Sequence, residues 1–441
     1  MTMRKRILLL SAMALALNGC AVFKGKGKRT PVLGDRVAIL ASESDVVADK
    51  SIGAVQVVLP PPEVNTDWAQ PGGNAAKAMG NVALSASPAR LWVAQITGGS
   101  DRERLAAAPV VSGNKLFAMD VNGTVHALDA ATGRALWSTA IASDDKHTRG
   151  ARFGGGVTFD NGSVYATDGL GDVAALNADT GAQVWKVKPG APLRGAPTVA
   201  GGNVYVLSQD NQLYALQQSD GKKTWSAAAS VESQGVFGVA APAVSQGTVV
   251  AGFSSGELGA YRYENGRALW QDALSRSSIS TSVSSLADID ADPVIDRGTV
   301  FALGQGGRMV ALEIVSGQRL WEQNFAGIST PAVAGEWVFI VTDDARLVCL
   351  SRANGKVRWI SQLRHYRVEK GHKDPITWYG PVLAGGRLIL TSSLGELVSA
   401  SAEDGSATTL VSGKVPYSFA PTVANSTLYT LDTRGRITAY R

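Results

Sequence analysis

Between Pro109 and Trp137 the chain reads PVVSGNKLFAMDVNGTVHALDAATGRALW, and the same 28-residue step from Pro to Trp returns at Pro197–Trp225, Pro242–Trp270, Pro293–Trp321 and Pro331–Trp359. Val157 takes the Pro place before Trp185. Pro381 opens a degenerate copy ending in Thr409-Leu410, and Pro421 opens a copy cut short by the end of the chain. Four residues before each Trp stands a turn dipeptide: Thr132-Gly133, Thr180-Gly181, Asp220-Gly221, Asn265-Gly266, Ser316-Gly317, Asn354-Gly355, and Asp404-Gly405 in the degenerate copy. Such pairs supply the positive φ that a tight hairpin requires. A second turn place lies fourteen residues before the Trp, at Gly123, Gly171, Asn211, Gly256, Gly307, Ala345, Gly395 and Gly435. Short apolar runs such as Val125-His126-Ala127-Leu128 lie between the turns and have the length of strands. Each copy is therefore predicted to be four short antiparallel strands, A to D, with the Trp on strand D.

Counting outward from this unit predicts the architecture. The Trp place is filled at 92, 137, 185, 225, 270, 321 and 359, with Leu410 eighth, a mean period of about 45 residues. The last copy lacks a strand D, while Leu91-Trp92-Val93-Ala94-Gln95-Ile96 is a strand D without a copy. Pairing the two ends completes an eighth unit and closes a ring, which removes the exposed edge that an open solenoid would leave. The predicted fold is all-β, an eight-bladed β-propeller over residues 86–441.

Composition agrees. The 441 residues include 49 Gly, 18% charged residues, two Cys and four His, with a formal charge of +5. So few Cys exclude a disulfide scaffold or a Cys-rich metal cluster, and the mild charge does not favour nucleic-acid binding. Residues 1–19 have the pattern of a signal peptide, with Arg4, Lys5 and Arg6 before an apolar stretch at Ile7–Leu17 too short to span a bilayer. Leu17-Asn18-Gly19-Cys20 resembles a bacterial lipobox, which implies a lipidated Cys20 as the mature N-terminus. Loss of the three signal cations leaves a charge near +2. Residues 20–85 lack periodicity and contain Pro60-Pro61-Pro62, so they are predicted to be mainly a flexible tether. Lys24, Lys26, Lys28 and Arg29 would lie beside anionic head groups or serve as a solubilising linker.

The unit A-P-x-V…G-x-V-Y…D-G-x-[LV]-x-A-L-[DN]-A-x-T-G-x-x-x-W resembles the PQQ-type propeller repeat over about 350 residues. With the lipobox and Trp68-Ala69-Gln70-Pro71-Gly72-Gly73-Asn74, the chain resembles the BamB family, lipoprotein subunits of the outer-membrane β-barrel assembly (BAM) complex. The resemblance implies a non-enzymatic scaffold, anchored by lipid in the outer membrane with its propeller in the periplasm. It also implies BamA and the other BAM subunits as partners, unfolded outer-membrane β-barrels as substrates, and a monomer within the complex. Ala21 after the lipidated Cys is consistent with outer-membrane sorting.

An enzymatic reading finds little material. Quinoprotein dehydrogenases share the repeat and, by resemblance, hold pyrroloquinoline quinone near a Cys pair and a coordinated Ca²⁺. Here Cys349 stands ten residues before Trp359, in the place held elsewhere by Ala127, Ala175, Ala215, Ala260, Ala311 and Ala439, and is predicted to be packed and inert. Gly252-Phe253-Ser254-Ser255-Gly256 matches a hydrolase pattern but falls on a hairpin turn with a strand after it. Asn122-Gly123-Thr124 and Asn161-Gly162-Ser163 are turns as well. His365 and His372 flank a Lys/Arg-rich loop with no ligand spacing. No catalytic residue, cofactor or metal site is expected. The alternatives are a scaffold of another envelope complex and a quinoprotein that has lost its motifs.

In a propeller the D-to-A connectors and B-to-C turns share one face. The connectors at 138–156, 271–292 and 360–379 are long, which marks that face for work. Leu193-Arg194-Gly195, before blade three, and Asp288-Ile289-Asp290, before blade five, resemble the segments with which BamB proteins contact BamA. The expected partner-binding residues are thus Leu193, Arg194, Asp288 and Asp290, the Arg fork and carboxylates giving charge pairs and Leu193 an apolar anchor. Arg194 alternatively pairs with Asp288 or Asp290 internally and ties the two loops. Direct contact predicts that Arg194→Glu weakens copurification with BamA and leaves stability nearly intact.

Overall fold

A computed structural model describes residues 46–100, 103–142, 153–230, 238–274 and 288–441; the signal stretch, Cys20 and the remainder of residues 1–45 lie outside the described residues. Among these, no helix is long and apolar enough to cross a membrane. Strands form eight sheets of four in chain order, the first with an added short strand, plus one separate two-stranded hairpin. Blade one is typical, with strands A to D at Val110–Ser112, Lys115–Met119, Thr124–Asp129 and Ala135–Ala140. Blade eight takes Thr422–Ala424, Thr427–Leu431 and Arg436–Tyr440 from the C-terminus and Arg90–Gln95 from the other end of the propeller sequence. In that joint Trp92 lies opposite Ala439, the register that places Trp137 opposite Ala127. The ring closes as the repeat count predicts.

The inner strands are apolar on both sides because each blade is covered by two neighbours, whereas strand D alternates with solvent. Val338, Phe339 and Ile340 are fully buried, while Leu269 and Leu320 on outer strands are 40% and 49% exposed. The Trp of each blade reaches into the next. The indole N–H groups of Trp92, Trp137, Trp185, Trp225, Trp270, Trp321 and Trp359 donate to the carbonyls of Ala130, Ala178, Gln218, Tyr263, Ile314, Arg352 and Ala402, at 2.7–3.1 Å. Each ring also covers the C–D turn glycine of the following blade, Gly133 to Gly405, where φ is about +70° and a Cβ would strike the indole. Backbone and packing thus both require glycine. The B–C turn place keeps positive φ in all eight blades, even at Asn211 and Ala345.

Blade seven shows how the repeat tolerates its missing Trp. In the other blades the strand D bulge falls just before the Trp; here Ser399 pairs with Thr408 and the shift lies between Val398–Thr409 and Leu397–Val411. Leu410, at the displaced bulge, is partly buried and packs against the apolar cluster shared by blades seven, eight and one.

The described part of the expected tether is not one. Residues 46–85 belong to the same compact body as the ring. Within them, residues 65–82 form a strap around the inner edge. Asn65 Nδ2 donates to Val423 O at 2.7 Å in blade eight, and Trp68 pairs with Val111 in blade one. Phe159 N of blade two donates to Ala69 O at 2.8 Å, and the Gln70 amide bonds both ways with the Val199 backbone of blade three, at 2.9 and 3.0 Å. Val244 N and Ile295 N donate to Ala75 O and Ala76 O at 2.7 and 2.9 Å, and Val82 N donates to Leu383 O at 3.2 Å in blade seven. Each partner is the second residue after the Pro place. Ala78 packs against the cluster containing Val333, the same position in blade six. The strap lacks periodicity because its polar backbone is satisfied by the unpaired edges of strand A rather than by a strand of its own.

Candidate functional site

The strap lies toward the A–B turns, where Gly113 N donates to Asp67 Oδ1 at 3.1 Å and Gly386 N to Asn81 Oδ1 at 3.0 Å. Above it is an axial cavity of about 420 Å³, whose other walls include Leu105, Phe153, Val239, Ile328 and Phe419 at the entrances to strand A. The D-to-A connectors meet there.

One cluster joins three of these connectors. Arg194 N donates to Leu207 O at 2.8 Å and Gly155 N donates to Arg194 O at 2.8 Å, which fixes the Leu-Arg-Gly segment between blades two and three. Gly195 lies against the Val239 and Ala240 backbone, too close for any side chain. From this base the Arg194 side chain crosses the entrance of blade four to blade five. Its Nη2 bonds Asp288 Oδ1 at 2.6 Å and Asp290 Oδ1 at 3.1 Å, and Gln305 Nε2 donates to Asp290 Oδ2 at 3.0 Å. Gly238 covers the pair, and a Cβ there would collide with both Asp290 and Arg194.

The structure therefore brings Arg194, Asp288 and Asp290 together and leaves out Leu193. The Arg194 and Asp288 side chains are each 2% exposed and Asp290 10%. Leu193 is fully buried among Tyr165, Val199 and Val206, so its side chain is core and not a surface anchor. The structure has the internal alternative, Arg194 paired with Asp288 and Asp290 and tying the two loops, with Leu193 in the core. With this burial, Arg194→Glu is expected to cost stability, since a third carboxylate would be buried beside two others.

The staple is incompletely satisfied. Arg194 Nε and Nη1 and Asp288 Oδ2 are buried without a hydrogen-bond partner. Burial pushes the Asp288 carboxyl upward against the pull of Arg194. Burial and then the Asp288 charge push Asp290 up to about 7. A folded-state pKa above the unfolded value of 3.8 gives stability that is full below that value and lost as pH rises through 7. Asp290→Asn is expected to flatten the fall in stability between about pH 4 and 7, measured as the difference in urea midpoints from wild type. Equal slopes in the two proteins would refute this.

A second charged pair was not legible because half of it lies in the strap. Lys77, 3% exposed with φ of +61°, donates from Nζ to Thr198 Oγ1 at 3.0 Å and faces Asp292. Burial pushes Lys77 down to about 8 and Asp292 upward, and Asp292 Oδ1 accepts Ala241 N at 2.7 Å. The alternation in Asp288-Ile289-Asp290-Ala291-Asp292 was the available signal: Ile289 and Ala291 enter the core while the carboxylates meet cations from elsewhere.

The residues do not fit pyrroloquinoline quinone. Cys349 is fully buried opposite Trp359, its thiol pushed upward by burial, so it supplies neither a Cys pair nor a reactive thiolate. No group of three His, Cys, Asp or Glu among the described residues is arranged to hold a metal. Ser254 sits in the B–C turn of blade four and donates to Asn211 Oδ1, in the corresponding turn of blade three, at 2.9 Å.

The profile of the family described as outer membrane protein assembly factor BamB matches residues 74–155 and 122–361. The chain is 30% identical over 322 residues to the BamB of Escherichia coli K12, covering 72% of this chain and 80% of that one. It is 29% identical over 323 residues to the BamB of Yersinia pestis, with the same coverage. Among solved structures, BamB from Moraxella catarrhalis superposes with a TM-score of 0.66 at 19% identity, over 80% of this chain and 99% of that one. The quinohemoprotein alcohol dehydrogenase of Comamonas testosteroni also gives 0.66, at 14% identity, over 85% and 80%. Structural likeness alone therefore shows the propeller and does not choose between scaffold and enzyme, whereas the sequence match extends across six blades. This chain belongs to the family of the outer membrane protein assembly factor BamB.

Proposed function

We propose that this protein is a non-enzymatic scaffold subunit of the outer-membrane protein assembly complex, docking BamA on its D-to-A face. Cys20 carries the lipid that holds it to the outer membrane, with the propeller in the periplasm. The observation that carries this reading is the buried staple, Arg194 with Asp288 and Asp290, which fixes the connectors of blades three and five across blade four into one platform. In this reading the staple residues position the contact surface rather than touch the partner. Orienting BamA is favoured over pairing with unfolded substrate strands, because a bulge interrupts the outer strand of every blade and blunts its edge.

The test is capture from detergent-solubilised outer membranes with affinity-tagged full-length protein. BamA is expected as the main co-eluting protein, and its absence would remove the docking reading. Mixing the purified protein with pyrroloquinoline quinone and Ca²⁺ is expected to give only the summed spectra. Stoichiometric quinone binding would revive an enzyme.

A further inference from the structure

The connector into blade seven carries a feature that docking through the staple leaves unused. Tyr366–Val368 and Lys373–Pro375 form a two-stranded hairpin that is a sheet by itself, with Tyr366 opposite Pro375 and Val368 opposite Lys373. Its base is fixed by buried Leu363 and Ile376, by Trp378 Nε1 donating to Arg364 O at 2.9 Å, and by Ile376 N donating to His365 O at 2.8 Å. Arg364 Nη2 donates to Arg367 O at 2.8 Å, and Tyr366 stacks between His365 and His372, at ring distances of 4.0 and 4.9 Å. His372 and Asp374 hold positive φ, +51° and +55°, beside Gly371. Asp and His are among the non-glycine residues that adopt this turn conformation most readily. The arm is a shaped element.

Its surface is exposed from Arg367 to Pro375. Arg364, Arg367, Lys370 and Lys373 outnumber Glu369 and Asp374, and among the described residues none of these six forms an ion pair. Elsewhere on the ring the exposed cations Lys186, Lys222 and Arg297 are paired with carboxylates, whereas the arm gathers four unpaired cations within ten residues. Against the arm lies a cleft of about 330 Å³ walled by Arg367, Asp374, Pro375, Ile376, Ser393 and Leu394. Thr377 N donates to Ser393 Oγ at 3.0 Å and holds the arm beside this B–C turn. The arm rises on the same face as the staple, a quarter-turn beyond blade five.

We propose that the hairpin at residues 366–375 is a recognition arm for an acidic protein segment, its cations meeting carboxylates while an apolar side chain of that segment enters the cleft beside Ile376 and Leu394. The inference rests on the docking reading for its place on the face, and on its own residues for its chemistry. Unpaired cations at a rim raise association rates and make binding salt-dependent, while the cleft supplies the desolvated anchor.

The test compares full-length wild type with the combined Arg367→Ser, Lys370→Ser and Lys373→Ser variant, all exposed positions whose replacement is expected to leave the unfolding midpoint unchanged. Two readouts are used: BamA capture, and binding of a labelled peptide of Glu and Asp residues around a single Phe. Wild type is expected to lose about tenfold in both between low and high salt, and the variant to bind about tenfold more weakly at low salt with little salt dependence. Peptide binding without BamA capture by wild type would leave the arm intact and remove the docking reading. Equal peptide binding by the two proteins would overturn the arm. So would a variant that keeps full BamA capture and loses only cosedimentation with phosphatidylglycerol vesicles, which would make the arm a membrane contact.

Discussion

Arg194→Glu is expected to destabilise the propeller by about 3–5 kcal/mol and to abolish BamA capture, because it buries an unpaired carboxylate between Asp288 and Asp290. Arg194→Ala is expected to fall near the same range, since the two carboxylates lose their common cation. These variants alone do not separate folding from recognition. Replacing the whole staple does: Arg194→Met with Asp288→Asn and Asp290→Asn removes every charge at similar volume, which is often neutral for stability. If the connectors serve only as shaped backbone, this triple variant regains both its urea midpoint and its capture of BamA. Restored stability with capture still lost would mean that the charges themselves are read by the partner, and the positioning role would fail. A wild-type urea midpoint for Arg194→Glu would show that the staple does not hold the connectors at all.

Trp270→Ala is expected to cost about 3–5 kcal/mol, the range for truncating a large buried aromatic. The indole is 9% exposed, donates to Ile314 O at 2.7 Å and covers Gly317 of the next blade. Truncation leaves a cavity between blades four and five and an unpaired carbonyl. Gly317→Ala alone is expected to destabilise as well, through its φ of +71° and the collision of its Cβ with Trp270. Together the two changes should cost less than their sum, by about 0.5–3 kcal/mol, because the new methyl enters space that the indole has vacated. Additive costs in urea unfolding would show that the Trp and the glycine do not form one contact.

That contact explains why the repeat was so legible. A Trp and a Gly at fixed spacing are imposed by the same junction between neighbouring blades, repeated around the ring, so one-dimensional spacing carries three-dimensional information. The missing Trp in blade seven was equally visible, but its remedy was not. The displaced bulge at Leu410 changes register and leaves no periodic mark. The strap escaped for a related reason. Its residues meet seven different blades through backbone atoms and the side chains of Asn65, Asp67, Gln70 and Asn81, and hydrogen bonds to a ring edge impose no hydrophobic period.

At the site, residue types were readable and their environment was not. An Arg in one connector and two Asp in another suggested charge pairing, yet they stand 94 and 96 residues apart in sequence. Whether such groups face a partner or each other depends on how far the guanidinium reaches across the intervening blade and on what covers it. The sequence by itself determined the four-stranded blade, its length, the closure of the ring and the family, because each follows from local turn chemistry repeated at a constant interval. Only the tertiary structure decided that Leu193 is core, that Arg194 is a buried staple, that Lys77 enters the axis, and that the hairpin at residues 366–375 stands free. Burial is a property of what the rest of the chain brings to a residue, and no spacing along the chain encodes it.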